Sequence, residues 1–194
     1  MQLLYTKRSP YARKVRIVAF EKQIPLELIE EDLTKKSQRL LSANPLVKIP
    51  TLILDSGEAL CDSPVICEYL DSFKNKPILI PAQRHFKILY YAAIADGLMD
   101  VAVAAYLEKI RHPEHFNEAF VKAQEETIQQ GLRFFEHHSV ELEELTLIPI
   151  ATAAAIGYIN FRLPQVGPQK TCPKLTKWFE EFFQRPSMEL TKPA

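Results

Sequence analysis

Two short stretches of the sequence combine residue types suited to ligand binding. Ile49-Pro50 opens an apolar, β-branched run. Proline lacks an N–H and holds the preceding residue extended, so the backbone N–H and C=O of Ile49 could bind a peptide, and a cis bond here would turn them toward it. An ordinary edge-strand proline is the alternative. Asp62-Ser63-Pro64 is typical of a helix start, whose free N–H groups suit a carboxylate, unless Asp62 and Ser63 are simple caps.

Size and charge limit the classes of partner. The chain has 194 residues, of which 47% are hydrophobic and 25% charged, which suits one large or two small folded domains. Lys plus Arg and Asp plus Glu both number 24, so no net charge favours nucleic acid or an anionic membrane surface. We therefore expect a small-molecule partner.

Cysteine and histidine placement argues against a disulfide framework and a metal site. Cys61, Cys67 and Cys172 are odd in number and form no C-x-x-C pair. His112 and His115 are separated by a proline and a predicted helix start, and loop histidines are mostly solvated. We expect no metal.

Targeting signals are also not expected. The apolar stretch in residues 1–7 is too short for a signal peptide, and no later segment reaches membrane-spanning length by the sequence pattern. We interpret the protein as cytoplasmic.

The elements that position the two stretches form an α/β pattern. Residues 2–6 predict a strand, and Ser9-Pro10 then caps a helix that ends near Gln23. Residues 26–30 alternate as a second strand, and a strand–helix–strand order implies a parallel pair.

The next segment completes a small sheet. A short helix at 37–42 precedes a strand beginning at Pro50, and the turn at 55–58 returns the chain as an antiparallel strand at 59–61. A helix follows Pro64. The sheet therefore has four strands, and the polar, proline-rich segment 74–81 predicts a domain boundary.

The rest of the chain predicts helices alone. Apolar residues recur every three or four positions over four segments, 82–110, 114–138, 147–161 and 173–184. The third is nearly all apolar, which indicates a central, buried helix. We expect one domain at 1–76 and an all-α domain at 82–194.

Four motifs in this order resemble the bacterial cytosolic glutathione transferases. They are Ser9-Pro10-Tyr11-Ala12-Arg13-Lys14-Val15-Arg16, Asn44-Pro45-Leu46-Val47-Lys48-Ile49-Pro50, Asp62-Ser63-Pro64-Val65-Ile66 and Ala154-Ala155-Ile156-Gly157-Tyr158. No single motif is specific, but their order and spacing are, and the resemblance spans nearly the whole chain. It implies a thioredoxin-like βαβ-ββα N-terminal domain, a helical-bundle C-terminal domain, a homodimer and a cis bond before Pro50.

The resemblance also implies an activity, which is activation of the glutathione thiol for attack on electrophiles, as in detoxification. Ser9 occupies the position of the thiol-activating residue, with a simple helix cap as its alternative role. Ile49, before Pro50, would pair its backbone with the cysteinyl part of glutathione. Asp62 and Ser63 would hold the γ-glutamyl part.

The remaining implied roles are less specific. Lys35 or Lys36 would neutralise the glycyl carboxylate, although adjacent lysines after a strand are commonly solvated. Glutathione would be a co-substrate, with no permanently bound cofactor, and a small electrophile would bind the second-substrate pocket formed by Tyr11, Met99, Tyr106 and Phe161. The alternative is a binding or regulatory protein that kept this fold without transferase activity.

Three departures from the family pattern bear on these expectations. The family's late helix begins with a Ser/Thr-x-x-Asp box, whereas Thr146 is followed three positions later by Pro149, which predicts a weakened or shifted start. Positions 9 to 12 contain no cysteine, which disfavours a dithiol reductase. Asp62 stands where the family commonly has glutamate.

Overall fold

The computed structural model describes residues 1–73, 76–111 and 113–193. The chain forms two compact units, one of Met1–Pro81 together with Pro186–Ala194 and the other of Ala82–Arg185. The predicted boundary segment includes Lys74 and Asn75, which lie outside the described residues.

The first unit is built on a four-stranded sheet. Its strands are β1 (Gln2–Tyr5), β2 (Glu27–Glu30), β3 (Thr51–Ile53) and β4 (Ala59–Leu60), in the order β2-β1-β3-β4. The β1–β2 pair is parallel, and the β1–β3 and β3–β4 pairs are antiparallel. This confirms the predicted parallel pair, the antiparallel return and the number of strands.

Three helices follow the predicted order around this sheet: α1 (Pro10–Glu21), α2 (Gln38–Ala43) and α3 (Ser63–Asp71). The apolar face of α1 packs against α3, and a fully buried core forms from Leu3, Leu4, Val15, Ile17, Leu52, Ile66 and Leu70. The Ile49–Pro50 peptide bond is cis. The thioredoxin-like fold class is confirmed.

The chain from Pro186 onward belongs to this first unit and not to the helical domain predicted at 82–194. It contains a short helix, α8 (Pro186–Leu190), which the sequence pattern did not predict. The buried guanidinium of Arg13 donates to the carbonyl of Met188 at 3.1 Å and to Thr191 Oγ1 at 3.4 Å. These long-range bonds hold the segment on α1, which no local periodicity could indicate.

The second unit is helical, as predicted. It contains α4 (His85–Arg111), α5 (Glu118–His137), α6 (Leu147–Arg162) and α7 (Pro173–Phe182), with short 3₁₀ turns at Ala82–Arg84, Ser139–Leu142, Pro164–Val166 and Pro168–Lys170. The nearly apolar α6 is buried from Leu147 to Ile159 and packs on α4. It is the central helix of this unit.

Two helix starts differ from the predictions. We expected α5 from residue 114, but it begins at Glu118 because Asn117 caps it, its Oδ1 accepting from the Phe120 N–H at 3.0 Å. The start of α6 is not shifted by Pro149. Thr146 Oγ1 accepts a hydrogen bond from the Ile148 N–H at 3.3 Å. The cap therefore uses the residue before Pro149 and does not need the N–H that proline lacks.

One helix in the described part of the chain, Ala82–Arg111 including its first 3₁₀ turn, is long and apolar enough to cross a membrane. The sequence pattern was wrong here, since we expected no segment of that length. Of its most apolar stretch, 44% is buried inside the structure. Core helices of soluble proteins have the same length and composition, so this helix is weak evidence for a membrane span.

Candidate active site

The register of the strands brings the predicted binding segments to the same end of the sheet. Tyr5 at the end of β1 pairs with Glu30 at the end of β2, so Ser9 and Lys35 both follow strands that end at this edge. In the antiparallel pairs, β3 starts and β4 ends there, because Thr51 pairs with Leu4 and Leu60 with Leu52. Ile49 precedes β3 and Ser63 follows β4, so all four segments lie at the same end of the sheet.

Ser9 caps the N-terminus of α1. Its Oγ accepts a hydrogen bond from the Ala12 N–H at 3.2 Å, and Pro10 occupies the first turn. The cap uses a lone pair of the hydroxyl and leaves its O–H donor available, and the described residues provide no acceptor for it. A half-buried donor at the positive end of a helix can therefore stabilise an anion.

The loop before Ile49 is fixed by buried polar groups. Asn44 Nδ2 donates to the carbonyl of Lys48 and to Thr51 Oγ1, both at 3.0 Å, and Thr51 Oγ1 donates to the same carbonyl at 2.8 Å. Ile49 is half-buried, and none of the backbone hydrogen bonds outside the regular elements of the described chain involves it. Its backbone polar groups are therefore available to a ligand.

Asp62 and Ser63 form the N-terminus of α3 in different environments. Asp62 is exposed, and its carboxylate accepts a hydrogen bond from the Ser63 N–H as the helix cap. Ser63 is only 1% exposed, and its Oγ has no hydrogen-bond partner among the described residues. A buried hydroxyl without a partner is costly, and this one is therefore available to a polar group of a ligand.

Lys35 lies in a turn beside an open cleft of about 330 Å³ that is also lined by Ser37 and Arg39. The lysine side chain is 85% exposed, and its Nζ is 3.9 Å from Asp32 Oδ2. Hydrogen bonds from Thr34 lower the pKa of Asp32, with a smaller contribution from Lys35. Any ligand carboxylate at Lys35 must compete with this anion.

The predicted second-substrate residues are distributed over both units. Tyr11 lies half-buried in α1 of the first unit. In the second unit Met99 is fully buried in α4, Tyr106 is half-buried on the same helix, and Phe161 on α6 is 38% exposed. Met99 thus contributes to the core in this structure.

Tyr106 and Phe161 share a contact with a residue that the sequence analysis did not single out. The guanidinium carbon of Arg162 lies 4.5 Å from the centre of the Tyr106 ring and 4.0 Å from that of Phe161. Tyr158 stands one turn earlier on α6, with its ring edge toward Tyr106 at 6.5 Å. The i, i+4 spacing of Tyr158 and Arg162 was the available sequence signal, but it did not reveal the contact with α4.

The described residues, 1–73, 76–111 and 113–193, contain no group of three or more His, Cys, Asp or Glu side chains that could hold a metal ion. His112, considered above as a weak candidate, lies outside the described residues. Cys67 and Cys172 are buried, and Cys61 is half-buried.

Known proteins resemble this chain in sequence. A family model described as glutathione S-transferase, N-terminal domain, matches residues 8–72, which include all the predicted glutathione-binding positions. The chain is 32% identical to the uncharacterized GST-like protein YibF of Escherichia coli, an alignment that covers 100% of this chain and 98% of the relative. It is 29% identical to glutathione S-transferase U4 of Arabidopsis thaliana, covering 93% and 83%.

Solved structures extend the similarity to the whole fold. A glutathione transferase family member from Pseudomonas fluorescens Pf-5 with bound glutathione superposes with a TM-score of 0.94 at 35% identity, covering 100% of this chain and 98% of that one. The same protein with bound S-(propanoic acid)-glutathione gives a TM-score of 0.90 at 35% identity, covering 100% of both chains. Full-length similarity at these identities shows that the chain belongs to the glutathione S-transferase family.

Proposed function

We propose that this glutathione transferase uses Ser9 to activate the thiol of glutathione for attack on a small electrophile. A free thiol with a pKa of about 8.5 is only about 3% thiolate at neutral pH, and lowering that pKa by about two units corresponds to roughly 2.7 kcal/mol of stabilisation of the anion. The Ser9 hydroxyl donates to the sulfur, and the N-terminus of α1 adds its positive dipole. Serine is the donor here and not the nucleophile.

The remaining contacts orient glutathione at the sheet edge. The Ile49 backbone, which takes part in none of the loop hydrogen bonds of the described chain, pairs with the cysteinyl unit. Ser63 and Asp62 hold the γ-glutamyl carboxylate and amine at the N-terminus of α3, and Lys35 neutralises the glycyl carboxylate. The observation that carries this proposal is the buried, unpartnered hydroxyl of Ser63, because a carboxylate at a helix N-terminus satisfies it directly.

The second substrate that we propose is a small electrophile, and the candidate residues for it remain Tyr11, Met99, Tyr106 and Phe161. The Pseudomonas protein that binds S-(propanoic acid)-glutathione supports a conjugation product as the kind of molecule that this fold holds. The non-catalytic regulatory alternative is not favoured, since the chain aligns along 93% of its length with a named glutathione S-transferase.

The assembly and setting that we propose are a homodimer in the cytoplasm, acting in detoxification, with glutathione as co-substrate and no permanent cofactor. Exposed large apolar side chains support the dimer: Phe86 and Tyr90 on α4 are 84% and 56% exposed, and Val65 on α3 is 47% exposed. Phe86 and Tyr90 are one turn apart and share a helix face. Such surface is commonly covered by a second copy.

Glutathione affinity chromatography followed by a conjugation assay tests the function. We expect retention on immobilised glutathione, elution by free glutathione and a conjugation rate above the uncatalysed reaction for a chloronitrobenzene electrophile. Passage through the resin together with co-purification of a large partner protein would instead support the regulatory alternative.

A further inference from the structure

A cation in contact with two aromatic rings lies in the helical unit, where α4 and α6 pack together. We define the Arg162 cluster as Tyr106, Tyr158, Phe161 and Arg162. The guanidinium lies within cation–π distance of both Tyr106 and Phe161, at 4.5 Å and 4.0 Å from the ring centres. Tyr158 also forms a side-chain hydrogen bond with Arg162, and a guanidinium has five N–H donors, so this bond uses only part of its capacity.

Arg162 has no anionic partner among the described residues, unlike Arg84 and Lys109 of the same unit. Arg84 pairs with Glu141 and Glu144, and Lys109 pairs with Glu125 at 3.0 Å. No ion pair within the described chain involves Arg162, and its Nε is buried without a hydrogen-bond partner. A buried guanidinium nitrogen without an acceptor is unfavourable unless a ligand completes it.

A purely structural role explains only part of this arrangement. Arg162 ends α6, where a positive charge interacts favourably with the helix dipole. An exposed lysine would interact equally well with the helix dipole. That interaction requires neither the aromatic contacts of Arg162 nor the burial of its Nε. A guanidinium held against two aromatic rings can instead bind a carboxylate with two hydrogen bonds.

We propose that the Arg162 cluster binds the carboxylate of an anionic aromatic electrophile, so that this transferase prefers negatively charged second substrates. The inference rests on the proposed function for its reaction and adds the substrate class. The exposed part of Phe161 provides apolar surface for the substrate ring. Burial raises the pKa of Tyr158 to about 12 despite the opposing charge of Arg162, so its hydroxyl keeps its proton at neutral pH and does not repel an anion.

Two matched electrophiles test this preference, 4-chloro-3-nitrobenzoate and its neutral amide, 4-chloro-3-nitrobenzamide. In both, the glutathione thiolate forms a C–S bond at the carbon that carries chlorine, the C–Cl bond breaks, and chloride leaves without any redox change. Rates are divided by the uncatalysed rate of each compound, which removes their difference in intrinsic reactivity.

Arg162→Gln should raise KM for the benzoate by roughly 10–100-fold, the loss expected for a charge-assisted pair, and leave KM for the benzamide and for glutathione within about twofold. Arg162→Lys keeps the positive charge but loses the planar pair of donors, so its KM for the benzoate should lie between those of wild type and Arg162→Gln. Arg133→Gln is the control, since Arg133 is an exposed arginine of α5 for which the described part of the chain shows no ion pair. Equal losses for benzoate and benzamide would overturn the proposal.

Calorimetric titration of the benzoate into the protein without glutathione separates this inference from the proposed function. If wild type conjugates neither compound, the transferase proposal fails, but weaker benzoate binding by Arg162→Gln than by wild type and Arg133→Gln still supports the anion site. Equal benzoate affinity in the three proteins, or no binding by wild type, contradicts it.

Discussion

Lys22 Nζ lies 2.7 Å from Asp71 Oδ1, with side chains that are 0% and 7% exposed. The pair joins the C-terminal ends of α1 and α3. Asp71 also accepts the N–H groups of Leu79 and Ile80 at 2.9 and 2.8 Å, and Lys22 donates to the carbonyl of Pro77 at 3.0 Å. One buried ion pair thus holds two helices of the first unit and the segment that leads out of it.

Removal of the Lys22 charge should destabilise the first unit strongly. Lys22→Met leaves the buried Asp71 carboxylate without its cation, a change that typically costs about 3–5 kcal/mol. Urea unfolding monitored by circular dichroism measures the free energy of unfolding. Lys177→Met is the control, because Lys177 and Glu181 form an exposed pair at 4.0 Å whose loss should cost less than about 1 kcal/mol. Similar losses in the two variants would contradict a structural role for the buried pair.

Ser9→Ala should separate thiol activation from glutathione binding. It removes one charge-assisted hydrogen bond, worth roughly 1.5–3 kcal/mol, so the pKa of the bound thiol should rise by about one to two units while affinity falls far less. Titration of thiolate absorbance in the protein–glutathione complex measures this pKa.

The control for Ser9→Ala is Asn117→Ala, which also loses an N-cap hydrogen bond but in α5. Both variants should lose about 1 kcal/mol of stability, and only the first should change the thiol pKa. An unchanged pKa in Ser9→Ala would return Ser9 to the role of a simple cap.

Ser63→Ala should weaken glutathione binding without destabilising the protein. The hydroxyl has no hydrogen-bond partner to lose among the described residues of the free protein, whereas in the complex it bonds a charged group, so we expect affinity to fall by about 10–100-fold. Calorimetric titration with glutathione measures the affinity, and thermal unfolding measures the stability of the protein. Thr152→Val is the matched control for Ser63→Ala. Thr152 Oγ1 is also buried without a hydrogen-bond partner in the described chain, but it lies in α6. A drop in affinity for both variants would indicate a nonspecific effect.

Tyr158 should make stability fall at high pH. Its folded-state pKa of about 12 exceeds the ordinary value of 10.0, chiefly because burial disfavours the phenolate. The folded state therefore keeps the proton longer than the unfolded chain, and the associated stability is present below pH 10 and is lost as pH rises toward about 12. Tyr158→Phe should show a smaller loss of unfolding free energy between pH 9 and 11. Identical pH profiles would mean that other groups cause the decline.

Light scattering should give twice the 22.3 kDa chain mass for the proposed homodimer. Phe86→Glu places a charge on the most exposed large apolar side chain and should shift the mass toward that of one chain. Ile110→Glu is the control on the same helix, where the side chain is 52% exposed, and should remain a dimer. A monomeric wild type at micromolar concentration contradicts the proposal.

The order of elements was predictable because it depends on local signals. Proline and capping residues start α1 and α3 where expected, alternation and helical periodicity separate the two units, and the motif order around Ser9, Ile49 and Ser63 indicated the family before any coordinates. Helix limits were less accurate, as at α5, because a single cap such as Asn117 determines them.

Contacts between distant segments could be decided only by the tertiary structure. The sequence by itself determined which residues cap helices and which open strands, but the strand register places those caps at one sheet edge. It could not show that Arg13 holds Met188, that the buried Ser63 Oγ has no hydrogen-bond partner among the described residues, or that Arg162 contacts two aromatic rings. Each of these three features depends on burial and on neighbours from other elements. The periodicity of a single segment does not encode such neighbours.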